Sequence, residues 1–318
     1  MSEVYEYKPS MLRGLWALTK REVKKWLKDP VTLFMVILQP VIWMVLLGKA
    51  MNLGALFSAG PLNNLKIPDM QLPGYLANPP VSGTIRIPGD LISRWIQELL
   101  PNLGSEMMKN AFGVTDYFSY MAIGMISMVV VSTTMFSAVS IVWDRRLGFL
   151  DKVLSTPVPR GVIVLSKVLN STIRSLFQAT VILAIAMALG LHLSPDFTLL
   201  NLLGFYASIC LLGIGLSSVF LAFSLRSTRM ERPMQLISLI MLPLMFASNV
   251  FFPIPLMPNW LQAIAKVNPI TYLTDAIRQF TILPMNPAEL VLDLVYLGLF
   301  AVISTVVGTI LSWRYLSV

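Results

Sequence analysis

The chain reads as an all-α integral membrane protein: six transmembrane helices, an N-terminal amphipathic interface helix, and an outer re-entrant helical hairpin between helices 5 and 6. Three observations predict this class. Only 13% of the 318 residues are charged, about half the share of a soluble domain, and the mean hydropathy is +0.72. Uncharged apolar runs recur, each long enough to cross a hydrocarbon core of roughly 30 Å. Basic residues crowd the segments between alternate runs, the pattern that orients spans with Lys and Arg on the cytoplasmic side.

Residues 1–30 form a cytoplasmic N-terminus. After a polar start at 1–9, the apolar Leu12, Leu15, Trp16, Val23, Trp26 and Leu27 recur at spacings of three, four or seven, while Lys20, Lys24 and Lys28 stack on another face. That pattern predicts a helix over Ser10 to Asp29 lying in the membrane plane. No short apolar core of a cleavable signal peptide is visible there. Residues 31–50 are the first span, with Gln39-Pro40 near its middle to kink it. Residues 51–115 are a Pro- and Gly-rich extracellular loop with a short amphipathic helix near Asp90 to Leu100. Its sparse basic residues suit the outside.

The remaining spans occupy 116–318. Tyr117 to Val142 is the second, carrying a Ser/Thr run from Ser132 to Ser140 that suits either a polar pathway or interhelical hydrogen bonds. The charged segment 143–167 follows, with a short helix expected over Leu147 to Ser155 and stopped by Pro157 and Pro159. Val168 to Leu191 is the third span, and Arg174 is placed to snorkel to the inner interface. Thr198 to Phe223 is the fourth, offering Gly204, Ser208, Gly213 and Ser217 for close packing. Arg226, Arg229 and Arg232 return the basic signal before the fifth span, Met234 to Phe252. In 253–287, Pro253, Pro255, Pro258 and Pro269 cut an apolar stretch into pieces too short to cross, predicting two short helices near Asn259 to Val267 and Ile270 to Leu283. Asn286-Pro287-Ala288-Glu289 is a capping box opening the sixth span, which runs to Trp313. This count puts both termini in the cytoplasm.

One cysteine, Cys210, and one histidine, His192, exclude a disulfide framework and Cys/His metal sites by number. The net charge of +8 is explained by orientation in a membrane and not by nucleic acid. The chain carries no G-x-x-x-x-G-K-[ST] loop and no polar stretch large enough for a nucleotide-binding domain.

Three stretches together resemble the permeases of ABC-2 type exporters. They are Lys20 to Gly48, a basic helix broken at Asp29-Pro30 before a Pro-containing span; Arg145 to Leu169, a charged Gly-containing turn with a Pro-x-x-Arg stretch; and Phe251 to Phe280, with its Asn-Pro-x-Thr-Tyr core and following Arg. The loop 51–115 is longer than in compact drug-exporter relatives. The resemblance implies a permease of the cell membrane that binds no cofactor itself. It would pair with a second copy or a close relative and with two copies of an ABC ATPase that hold ATP and Mg. The cargo class implied is a hydrophobic or amphipathic drug-like or lipidic molecule, with a lipid-linked glycan as the alternative.

On this reading Arg145, Arg146, Gly148, Asp151 and Lys152 couple the chain to the ATPase, with Lys20 and Lys24 bracing it from the side. The competing reading is that these charges only set topology. Met125, Met128, Met135, Met241, Met245 and Asn249 are pathway candidates, since methionine accommodates irregular apolar surfaces; packing or lipid contact is the alternative for each methionine. Asn268, Pro269, Tyr272, Asp275 and Arg278 form an outer gate, with Asp275 and Arg278 spaced to pair. Asp293 stands at the outer mouth. The chain is read as a non-enzyme; a membrane-embedded enzyme or ATP-independent channel is the reading from another class. An enzyme would need convergent ionisable groups in the spans, and only Asp293 and Arg174 are there.

Overall fold

Helices dominate the computed structural model, which describes residues 11–50, 67–73, 82–156, 158–227, 229 and 231–316. The polar start at 1–9 and Pro157 lie outside these residues. Helix α1 (Met11–Leu27) and helix α2 (Pro30–Trp43) are separated by Lys28 and Asp29. Asp29 makes the break: its carboxylate accepts from the Thr32 amide at 3.2 Å and the Thr32 hydroxyl at 2.7 Å, and Pro30 fills a first-turn position that needs no donor. These bonds hold the Asp29 carboxyl below its usual range. A π-helical turn, Met44–Ala50, continues α2.

The excursion after α2 contains more structure than its composition suggests. Strands β1 (Met70–Pro73) and β2 (Thr84–Ile87) pair antiparallel, Met70 opposite Ile87. They lead into α3 (Gly89–Phe112), 24 residues long, so the helix expected only to Leu100 continues through Pro101. Its stop is Gly113, whose φ of 74° is left-handed backbone that glycine adopts without strain. Asp69 ties hairpin to helix by accepting from the Gly89 amide at 2.9 Å and pairing with Arg86.

Helix α4 (Tyr117–Arg146) is the centre of the fold and is buried on nearly every side, as expected for a helix apolar all round. It is followed by α5 (Phe149–Leu154), α6 (Arg160–Ala188), α7 (Leu199–Leu225), α8 (Glu231–Phe246), α9 (Asn259–Ala265), α10 (Pro269–Thr281) and α11 (Pro287–Leu316). Helix α6 begins at Arg160, two turns before the expected start of the third span, and these turns bury Val162, Ile163, Val164 and Lys167 inside the fold. Helix α7 packs against α4, α6, α10 and α11. Gly204 permits its contact with α10, since a Cβ there would come within 2.3 Å of the Phe280 ring.

The Ser/Thr run of α4 joins helices. Thr133 bonds Gln178, the Asn170 amide reaches the Ser137 hydroxyl at 3.4 Å, and the Lys167 ammonium reaches the Ser140 hydroxyl at 3.2 Å, all from α6. Among the described residues, five helical stretches are long and apolar enough to cross a membrane: Pro30–Lys49, Met108–Arg146, Arg160–Ala188, Leu199–Leu225 and Pro287–Ser312. The chain is thus a membrane protein built almost wholly of α-helices, with one two-stranded hairpin that the all-α expectation did not include. The expected fifth span differs: α8 has 16 residues and ends at Phe246, and the backbone to Phe252 is non-helical.

Candidate functional site

Functional candidates gather at three levels along α4: a charged face at its C-terminal end, an apolar groove beside its middle, and a polar clasp near its N-terminal end. At the first level Gly148 turns the chain between α4 and α5 with φ 66°. Helix α5 buries Leu150 and Val153 and leaves Asp151 and Lys152 exposed, with Leu147 69% exposed beside them. Arg146, Lys20 and Lys24 are exposed too. Arg145 faces inward and donates to the Leu225 carbonyl at 2.9 Å, capping the C-terminus of α7.

Behind α5 lies an ionic cluster that the sequence reading missed. The Lys167 ammonium contacts Asp144, and it reaches Glu22 Oε1 at 3.2 Å; all three side chains are 6% exposed or less. Glu22 also accepts from Arg21 at 2.8 Å, and the Arg21 guanidinium lies 3.4 Å from the Phe149 ring centroid. Asp144 Oδ1 has no hydrogen-bond partner. Helices α1, α4 and α6 therefore meet on one lysine, and α5 joins them through the Phe149 ring under Arg21. Arg174 adds a second tie to α1, donating to the Glu22 carbonyl at 3.2 Å beside the Trp26 ring. The available signal was a carboxylate closing one apolar run and a lysine opening the next, each needing a partner once buried.

The groove of about 490 Å³ lies between α2, α4 and α8. Met128, Met241 and Met245 line it, together with Gln39 and Ser238. Its aromatic members are Trp43, Tyr117, Phe246, Phe251 and Phe252, of which the sequence reading singled out none. Met125 is fully enclosed and Met135 is buried, and neither lines the groove.

Asn249 is likewise absent from the groove wall and belongs to the clasp. The chain leaving α8 turns its carbonyls to side chains from α4 and α10. Asn268 donates to the Leu244 and Ala247 carbonyls at 2.6 and 2.7 Å while capping α10 by accepting from the Ile270 amide at 3.0 Å. Arg278, 1% exposed, donates to the carbonyls of Asn249 at 2.9 Å, Val250 at 3.0 Å and Tyr120 at 3.1 Å. Its guanidinium lies 3.4 Å from the Tyr120 ring centroid. Tyr120 and Tyr117 donate from α4 to the Asn249 carbonyl at 2.9 Å and the Phe251 carbonyl at 3.2 Å.

The expected Asp275–Arg278 pair does not form. The Asn249 amide occupies Asp275, and the guanidinium is drawn to backbone carbonyls that leave the ladder where α8 ends. Pro269 opens α10. Tyr272 donates to the Lys266 carbonyl at 2.5 Å and stacks on Tyr296 at 3.8 Å, outside the clasp. Asp293 is 6% exposed and accepts from Gln279 at 3.4 Å.

Residues 80–281 match the family described as ABC-2 type transporter, and this match covers well over half the chain. The chain belongs to that family. Among similar proteins, a putative transport permease of Cyanophora paradoxa is 26% identical over 268 residues, 84% of this chain and 73% of the relative. A probable multidrug ABC transporter permease of Escherichia coli strain K12 is 26% identical over 197 residues, 59% of this chain and 52% of the relative. A daunorubicin resistance ABC transporter permease protein of Streptomyces coeruleorubidus is 24% identical over 164 residues, 52% of this chain and 57% of the relative. The matched region of this ABC-2 permease runs from just before β2 through the end of α10. It contains α5, most of the groove wall and the clasp, whereas α1, α2 and α11 lie outside it.

Proposed function

We propose that this ABC-2 permease is the membrane-spanning half of an ATP-driven exporter for hydrophobic or amphipathic, drug-like or lipidic molecules. The observation that carries the reading is the apolar groove beside α4, whose other end holds the solvent-facing helix α5. Gln39, Ser238, the Trp43 indole N–H and the Tyr117 hydroxyl are the polar side-chain groups of the groove wall, and that hydroxyl is already bonded to Phe251. Flexible methionines and aromatic faces suit apolar cargo of irregular shape. A glycan would need a denser set of donors and acceptors along the wall, so the lipid-linked glycan reading is second.

In this reading two copies of the permease, or one copy and a close relative, form the pathway in the cell membrane. Two ATPase subunits holding ATP and Mg seat against Leu147, Gly148, Asp151 and Lys152, with Lys20 and Lys24 alongside. Helix α8 and the turn after it serve as the fifth of six spans, and residues 253–287 form the outer re-entrant hairpin with its gate at the clasp. Residues 1–30 and 143–167 then face the cytoplasm with both termini, and residues 51–115 face outward.

The test is reconstitution with an ABC ATPase subunit that co-purifies with this permease, followed by ATP-dependent movement of a panel of amphipathic dyes and lipids in vesicles. Met245→Trp fills the groove and is expected to lower transport roughly tenfold or more, the effect of losing about 1.4 kcal/mol of binding. Transport of apolar cargo unaffected by Met245→Trp and Met128→Trp together would remove the groove from the pathway.

A further inference from the structure

A second apolar recess, separate from the groove above, opens between α7, α8 and α11. It holds about 270 Å³ and its lining offers no polar surface. From α7 it is walled by Leu216, Phe220 and Phe223, and from α8 by Leu236, Ile240 and Leu244. Phe223, Leu236 and Ile240 are 56%, 54% and 47% exposed, so the recess is open along one side.

Both walls end in an arginine. On α7 the stripe of Leu216, Val219 and Phe223 continues at the same three- and four-residue spacing to Arg226, the residue that caps the helix. On α8 the stripe of Leu244, Ile240 and Leu236 continues backward by four to Arg232 in its first turn. Residues at these spacings share one helix face. Both arginines are exposed, and neither side chain makes a hydrogen bond or ion pair among the described residues. Arg229 lies between them and is exposed; Glu231 is the acidic residue of the turn, leaving a surplus of positive charge. A basic end on an uncharged trough matches an anionic headgroup above an acyl chain, and basic recesses between spans on one side of a membrane hold such lipids.

We propose that this recess is a binding site for an anionic phospholipid of the leaflet on the Arg226 side, with the phosphate held by Arg226 and Arg232 and one acyl chain lying between α7 and α8. The lipid would wedge the short α8 against the rest of the permease. The site goes beyond the transport reading and does not depend on which cargo moves.

The test uses the full-length permease in nanodiscs of equal phosphatidylglycerol and phosphatidylcholine, extracted gently and read by native mass spectrometry for retained lipid. Wild type is expected to retain phosphatidylglycerol preferentially. Arg226→Gln/Arg232→Gln is expected to cut that preference roughly tenfold or more, two cations each worth about a factor of five near an anionic surface, with helix content and elution volume unchanged. A second variant, Leu236→Trp, fills the trough with both arginines intact and is expected to displace the same lipid. Equal retention of the two lipids by wild type would overturn the site. So would a preference that survives both variants. Loss of ATPase binding in the arginine variant with lipid retention unchanged would assign the arginines to the ATPase and also overturn the proposal.

Discussion

Lys167 carries the largest single-residue consequence. Its ammonium is the shared counter-ion of Asp144 and Glu22, so Lys167→Met leaves two buried carboxylates facing each other. Breaking a buried pair from one side costs about 3 to 5 kcal/mol. A matching drop in thermal stability in detergent is expected, with partial recovery in Lys167→Met/Asp144→Asn/Glu22→Gln. If Lys167→Met melts like wild type, the cluster does not hold α1 to α6. Gly148 acts differently, because its φ of 66° costs a residue with a Cβ about 1 to 2 kcal/mol. Gly148→Val is expected to leave the bundle assembled while cargo no longer stimulates the partner ATPase; stimulation equal to wild type would refute the coupling role. Asp69, outside the spans, supplies a pH effect. The Gly89 amide and Arg86 hold its carboxyl below its ordinary value of 3.8. Its contribution to the hairpin–helix junction is therefore complete above that value and lost as pH falls through the lowered one. Protection of the amides of residues 82–90, measured against their intrinsic exchange rates, is expected to fall in strong acid for wild type and to be unchanged there for Asp69→Asn.

At the scale of the element, α8 and the turn after it depend on side chains from elsewhere. Carbonyls of Leu244, Ala247, Asn249, Val250 and Phe251 are all bonded by side chains of Asn268, Arg278, Tyr117 or Tyr120. A helix of 16 residues can stop at membrane depth only if such donors replace the missing ladder. Tyr120→Phe removes one of them and is expected to cost about 1 kcal/mol, whereas Arg278→Lys loses the planar fork that reaches three carbonyls and is expected to cost more. Cysteine accessibility at Phe252, read in both variants, distinguishes opening of this turn from global unfolding. Asn268, Pro269 and Arg278 were legible in the sequence as a motif, but the tyrosines were not. Nothing in a single chain marks Tyr117 and Tyr120, 129 or more residues from their acceptors, as the other half of the clasp.

For the whole molecule, the alternation of basic and basic-poor segments predicts which surfaces share a side of the membrane. In a Cys210→Ser background, single cysteines at Lys20, Asp151 and Arg229 are expected to react with an impermeant maleimide only after cells are opened, while cysteines at His192 and Asn286 react in intact cells. Labelling of Asn286 together with Asp151 would show that the segment between α8 and α11 crosses the membrane. The six-span reading would then fail.

Sequence alone determined the class, the order of the helices and the sidedness argument. Each of these depends on hydropathy and charge summed over about 20 residues, a property of neighbours along the chain. The break at Asp29-Pro30, the short helix after Gly148 and the Pro-cut segment before α11 follow from local backbone chemistry and were legible for that reason. The tertiary structure alone decided how buried polar groups are paired. Asp275 and Arg278 sit one turn apart yet do not pair with each other, the first taking the Asn249 side-chain amide and the second backbone carbonyls, and Glu22, Asp144 and Lys167 converge from three helices. Burial makes an unpartnered charge expensive, and the partner that answers it is set by which helices pack together.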